Sequence, residues 1–577
     1  MNRITGILVI SVIVLAACGR DTAPPAVSTA VTRQPWVEFT ASVVDEYYRR
    51  NPAAAVNAGL HEYDGQIPDI SSAAMQEYVD WLETTLAGVH YYADLQGFEA
   101  FERDYLANEL KGQLFWLTVT DYPKKNPLFY DDGLSFSVYV DREYAPIEQR
   151  LRSYTQHVSQ LPAYLQTMRD NLEPPLPAPY LEIAYGVFSG LKVYLETTVP
   201  ELFAAVADEQ LQRQFREANA AAVEAVLQTA DWLESLKATA TNDYALGEQR
   251  FLQMLRDTQG VDISMAELKA AGNLNLRQNL EALDLACAEF APGASTRDCV
   301  LAAQNRKPAE GAVKAATRQL PMLRKFVEDN DLVTIPGTED ARVAEAPPHR
   351  RFNFAYIEIP GPFESGLPSV YRIAPPDPNW SEADQLAYIP GETDLLATSV
   401  HEVWPGHFLQ FLHANRTKNS IGRHFHTYTF TEGWAHYTEQ MMVDAGLGQG
   451  DPEVRIGQLL NALLRNVRYL SAIGLHAEGM TVEQSQAMFE DKAYEDFGDA
   501  NQQAYRGTYD PGYLNYTLGK LMINKLRDDW TQGRGGREAW GRFHDEFLSY
   551  GSPPIPLVRR QMLGAGYDGD SALLPKL

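Results

Sequence analysis

Apolar residues recur along most of this chain at intervals of three and four, the period of one helix face. From Trp36 to about Ala240, WVEFTASVVDEYYRR, AAMQEYVDWLETTLAGV and FERDYLANELKGQLFWLT all carry this pattern. Clusters rich in proline, glycine and asparagine separate them: NPAAAVNAG, DGQIPDIS, YPKKNP and LEPPLPAPY. IEQRLRSYTQHVSQLPAYLQTMRDNL and the run from Leu202 to Lys237 continue the theme, and Phe251 to Leu285 predicts two more helices. No segment recurs at a fixed period. The aromatics Tyr47, Tyr48, Trp81, Trp116 and Tyr194 are expected in the core or along a groove.

A second region opens near Arg306 with a helix through Val327, followed by polar, proline-containing sequence from Asp329 to Arg350. The period then changes. RFNFAYIEI alternates and SVYRIAPP is a short β-prone run, which together predict a small antiparallel sheet or hairpin. A sheet edge just before the helices that follow is a place where an extended peptide can add as a strand. Helical pattern runs through Leu395–His401, resumes after His407, and returns in TFTEGWAHYTEQMMVDAG, MTVEQSQAMFEDKAYE and NYTLGKLMINKLRDDW. The expected fold is mainly α with a small antiparallel β-element. The expected divisions are a signal peptide at 1–18, a tether at 19–35, a helical region at 36–300 and a second region at 301–577.

The N-terminus departs from this pattern. Asn2 and Arg3 precede an apolar run from Ile4 to Ala17, too short to span a bilayer, and LAAC follows at Leu15 to Cys18. This resembles a bacterial lipobox, which implies a lipid on Cys18 anchoring the chain to a membrane. Gly19 in place of Asp resembles the Gram-negative pattern for the outer membrane, facing the periplasm. Of the three cysteines, Cys287 and Cys299 remain, and in an oxidising compartment they are expected to form a local disulfide. The 577 residues are 45% hydrophobic with a net charge of −27, which is globular and argues against nucleic acid as a partner.

The candidate chemistry lies in HEVWPGHFLQ. His401, Glu402 and His407 are metal ligands and a general base by residue type. The usual zinc-protease signature spaces its histidines four apart on one helix face. Here they are six apart, on different faces of a regular helix at about 100° per residue. Pro405 and Gly406 lie between them, and they predict a bulge that deforms the helix without ending it. Glu432 is the strongest third ligand, 25 residues after His407; His424, His426 and His436 compete for that role. Glu432, His436 and Glu439 share one helix face, so His436 or Glu439 is expected to support the ligands. Oxyanion donors are sought among Tyr513, Tyr516 and His476.

HEVWPGH followed by EGWAHYTE resembles the bacterial family of domain-of-unknown-function 885, itself similar to glutamate-zincin metallopeptidases. NPAAAVNAGLHEYDGQIPDIS, VRYLSAIGLHAEGMTVEQ and RGTYDPGYLNYTLGKL extend the resemblance over most of the chain. It implies a large helical, zincin-like architecture with the β-element next to the metal helix. It implies one zinc ion on His401, His407 and Glu432, with Glu402 as base. Arg468, His476 and Tyr516 match recurrent polar positions, whereas Phe408 and Tyr513 depart from the family pattern. The function expected is zinc-dependent cleavage of peptide bonds, with oligopeptides as substrates. Hydrolysis of other amides or esters, or metal binding without turnover, are the alternatives.

Overall fold

A computed structural model describes residues 33–347, 350–351, 354–564, 567 and 572–575. The signal segment, Cys18 and most of the 19–35 tether lie outside these residues. Among the described residues no helix is long and apolar enough to cross a membrane.

The structure is mainly helical. Helices begin where side chains can satisfy the first free N–H groups. Asp208 caps Glu209–Leu236, Asp451 caps Pro452–Ala477, and Ser264 with Glu267 forms a capping box on Met265–Phe290. Cys287 and Cys299 are joined by a disulfide that ties this last helix to Thr296–Gln304.

The N-terminal helices form two outlying clusters. One is built on Leu151, Tyr154, Phe188 and Phe215. The other packs Trp36, Tyr48 and Tyr105 against Ile421 and Phe425. The main core ignores the division expected at residue 300, because Phe115, Phe251 and Leu283 share it with Trp434, Ile456 and Leu518. The cause is the pairing of two 26-residue helices, Met265–Phe290 and Pro452–Ala477, from opposite sides of that boundary.

The sheet has three strands, β1 (Ala341–Glu345), β2 (Ala355–Glu358) and β3 (Ser369–Ile373), in the order β1-β3-β2. β2 and β3 pair antiparallel, as expected for the alternating and β-prone runs that form them. β1 pairs parallel to β3, so the sheet is mixed and the purely antiparallel expectation is corrected. ARVAE sits in the segment assigned to a polar connection; it has one β-branched residue and gains its order from β3, which is buried along most of its length.

Two helices of the second half approach at backbone distance. A Cβ added to Gly433 of Tyr428–Asp444 would lie 2.5 Å from the Gly519 Cα of Asn515–Thr531, and one added to Gly519 would lie 2.0 Å from the Thr429 carbonyl oxygen. This crossing brings Glu432 and Tyr516 to the same cavity.

Candidate metal centre

The first histidine helix, Glu392–Glu402, ends at Glu402, and a second begins at His407. The expected bulge within a continuous helix is therefore corrected to a four-residue turn between two helices. Val403 already leaves helical dihedrals, and Pro405 has no N–H with which to continue the ladder. The Gly406 N–H reaches back 3.0 Å to the Val400 carbonyl, so the second helix starts against the end of the first. A Cβ on Gly406 would lie 1.8 Å from the His401 carbonyl oxygen, so only glycine fits this return. Trp434 of the glutamate helix, Tyr428–Asp444, donates from Nε1 to the Pro405 carbonyl at 2.9 Å and ties the turn to that helix.

This turn faces the two imidazoles together. Their ring centroids are 4.8 Å apart, with the planes nearly perpendicular. Glu432 Oε2 lies 3.4 Å from His401 Nε2 and 3.2 Å from His407 Nε2. One possible ligand atom from each of the three residues falls within 4.8 Å of the others. Two imidazole nitrogens and a carboxylate oxygen form a donor set suited to zinc, leaving room for a fourth ligand.

Glu439, two turns after Glu432, supports the cluster from below. Its Oε1 accepts from His401 Nδ1 at 2.7 Å and pairs with Arg465 at 3.2 Å, and its Oε2 accepts from His436 Nδ1 at 3.0 Å. With Nδ1 engaged, His401 turns Nε2 toward Glu432 and His407. Burial acts to raise the Glu439 pKa, but Arg465 and His436 outweigh it and hold the carboxyl well below the usual range. Glu432 is also held low, with burial opposed by His407 and His401. His401 is raised: burial and Arg465 act to lower it, and Glu432 and Glu439 prevail. Burial, reinforced by Lys520, takes His436 down to about 3, so this imidazole is neutral and donates from Nδ1.

The three clustered residues, Glu402 and Tyr516 line one cavity of about 1640 Å³. Glu402 is 9% exposed, at the end of the first histidine helix. β2, an edge strand paired among the described residues with β3 alone, also lines this cavity. The Tyr516 ring stacks on His401 with centroids 6.2 Å apart. Burial and Glu432 raise its pKa against Arg506 and Arg468, so the hydroxyl keeps its proton and can donate.

Other candidates stand apart. His476 is buried away from the cavity, where its Nε2 meets the Gly507 carbonyl at 2.7 Å and its Nδ1 faces the Leu246 N–H at 3.4 Å. Burial lowers its pKa to about 4, so the expectation that it acts on substrate is corrected to a backbone-binding role. Tyr513 is likewise buried, donating to Ser471 at 2.7 Å. His424 and His426 line the cavity outside the three-residue cluster, and His436 sits behind it with Glu439. Arg465 was missed by sequence reasoning. The available signal was two arginines three apart, Arg465 and Arg468, in the largely apolar run LLNALLRNVRYL.

A family model described as "Bacterial protein of unknown function (DUF885)" matches residues 52–562. No curated protein matches the chain. Two solved structures, each described as a putative lipoprotein, share the fold. The one from Shewanella oneidensis, also described as of unknown function, is 22% identical with a TM-score of 0.77, covering 92% of this chain and 100% of that one. The one from Colwellia psychrerythraea is 16% identical with a TM-score of 0.74, covering 92% and 98%.

Proposed function

This chain belongs to the DUF885 family, and on that premise we propose that it is a zinc-dependent hydrolase of peptide bonds with a zincin-like plan. The observation that carries the reading is the convergence of His401, His407 and Glu432 within 4.8 Å, beside Glu402 on one cavity wall. His401, His407 and Glu432 would hold a zinc ion, which would supply Lewis acidity for the substrate carbonyl and for water. Glu402 takes the proton of the attacking water and passes it to the leaving amine. Tyr516 donates its hydroxyl proton as a hydrogen bond to the developing oxyanion. Glu439 keeps His401 in the tautomer that offers Nε2. The β2 edge supports an extended peptide as an added strand, which favours oligopeptides.

The lipobox-like segment, the disulfide and the lipoprotein descriptions of the two structural relatives support export and anchoring through Cys18, at the outer membrane of a Gram-negative cell. The test is metal analysis of the purified protein with cleavage of a peptide library before and after chelation. One bound zinc is expected, with cleavage lost on chelation and in Glu402→Gln. Absence of zinc, or full activity in that variant, refutes the reading. Turnover of non-peptide amides or esters alone assigns the same site another substrate.

A further inference from the structure

Among the described residues, the cavity beside the His401, His407 and Glu432 cluster contains one buried arginine without a carboxylate partner. Arg465 is paired with Glu439, and Arg506 with Asp510 at 3.0 Å. Arg468, 8% exposed, donates only its Nε, to Gln503 Oε1 at 2.8 Å. Among the described residues no acidic side chain pairs with it and no protein acceptor meets its terminal nitrogens, which belong to a side chain lining the cavity. Glu495 is on the same cavity wall without a hydrogen bond or ion pair to Arg468; burial, with Asp499 and Asp394, pushes its carboxyl up to about 8 while Arg468 acts to lower it. A buried cation in this position costs folding free energy unless an anion completes it.

Its placement identifies the anion. The guanidinium carbon is 5.1 Å from the Tyr516 ring centroid, and that ring is 6.2 Å from His401's, so two short spans are the most that separate it from the first histidine. An extended residue covers ~3.3–3.6 Å and the guanidinium–carboxylate hydrogen bond takes up about 2.7–2.9 Å of the span, so a peptide whose scissile carbonyl lies at the cluster brings its own C-terminus to Arg468 one or two residues later. The planar fork of a guanidinium matches a carboxylate with two parallel hydrogen bonds.

We propose that Arg468 is the receptor for the substrate's terminal α-carboxylate, and that the enzyme removes one or two residues from the C-terminus of peptides. This rests on the hydrolase reading above, and it converts a general peptide cavity into an exopeptidase site. Water adds to the scissile carbonyl carbon, the C–N bond breaks, and the leaving amine takes a proton, giving a shortened peptide and a free amino acid or dipeptide.

The test uses N-acetylated peptides of one sequence, ending in a free acid or an amide, with a second amide ending in glutamate. Binding to full-length Glu402→Gln is measured by calorimetry, with and without zinc. The acid should bind about 10- to 100-fold tighter than either amide. Arg468→Met should erase that preference and Arg468→Lys restore part of it. Equal binding of acid and amide, equal binding of the glutamate amide, or a preference that survives Arg468→Met overturns the proposal. Should Arg468→Met fail to fold, the acid–amide comparison in the parent decides. Mass spectrometry of wild-type digests separates the two readings. Release of one or two C-terminal residues from the acid alone supports the proposal, and equal internal cleavage of acid and amide overturns it while sparing the hydrolase. No cleavage of any peptide refutes the hydrolase, and the binding preference then decides the role of Arg468.

Discussion

Replacing Glu439 with Gln perturbs the site without replacing a proposed ligand. The carboxylate is 1% exposed and accepts from three donors: His401 at 2.7 Å, His436 at 3.0 Å and Arg465 at 3.2 Å. Each oxygen faces a donor, so the glutamine NH₂ must point at one of them whichever way the amide is turned. It also leaves Arg465 without its counter-charge. Breaking a buried pair from one side costs about 3–5 kcal/mol, and losing the partner that orients a ligating histidine costs about 10–100-fold in metal affinity. Urea unfolding of the metal-free protein should show the first transition at lower denaturant, and zinc competition against a chromophoric chelator should show the weaker affinity. Zinc affinity within twofold of wild type, in a variant with unchanged circular dichroism, refutes the claim that Glu439 orients His401.

Three further outcomes are expected. Gly406→Ala should lower stability by about 1–3 kcal/mol and weaken zinc binding, because a methyl 1.8 Å from the His401 carbonyl forces the turn open; thermal melts with and without zinc check both effects. Tyr516→Phe should reduce kcat by about 10²–10³ with zinc content unchanged, read from steady-state kinetics and metal analysis. Glu495 binds a proton in the folded chain that the unfolded chain has released between ~4.3 and its raised value, which is about 8. Stability should therefore fall as pH rises through that window. Glu495→Gln should flatten this slope and stabilise the protein at pH 8 by on the order of 1–2 kcal/mol after discounting for solvent, measured by denaturation at a series of pH values.

The helices and the β2–β3 pairing were legible because their periodicities are local. The same applies to Glu432, His436 and Glu439, whose spacing alone puts them on one face. β1 was not legible, since its order comes from a partner 28 residues away. The turn at Pro405 and Gly406 was half legible: those residues predict a disruption, but whether it bends a helix or separates two depends on where the Gly406 N–H finds an acceptor. His476 misled because a histidine in a helical run does not reveal whether its nitrogens face a cavity or the backbone. The core across residue 300 was invisible because helix pairing over long separations leaves no local trace.

The contact between Gly433 and Gly519 has a thermal consequence. Most active-site spacings are set by side chains, which change rotamers and let a site loosen well below the temperature at which a protein unfolds. Here the neighbours of Glu432 and Tyr516 meet backbone to backbone, with no rotamer between them. The separation of the two backbones that carry Glu432 and Tyr516 is then as stiff as the two helices themselves. Loss of activity on heating should coincide with separation of those helices and not precede it, so inactivation and loss of helical signal should follow one curve.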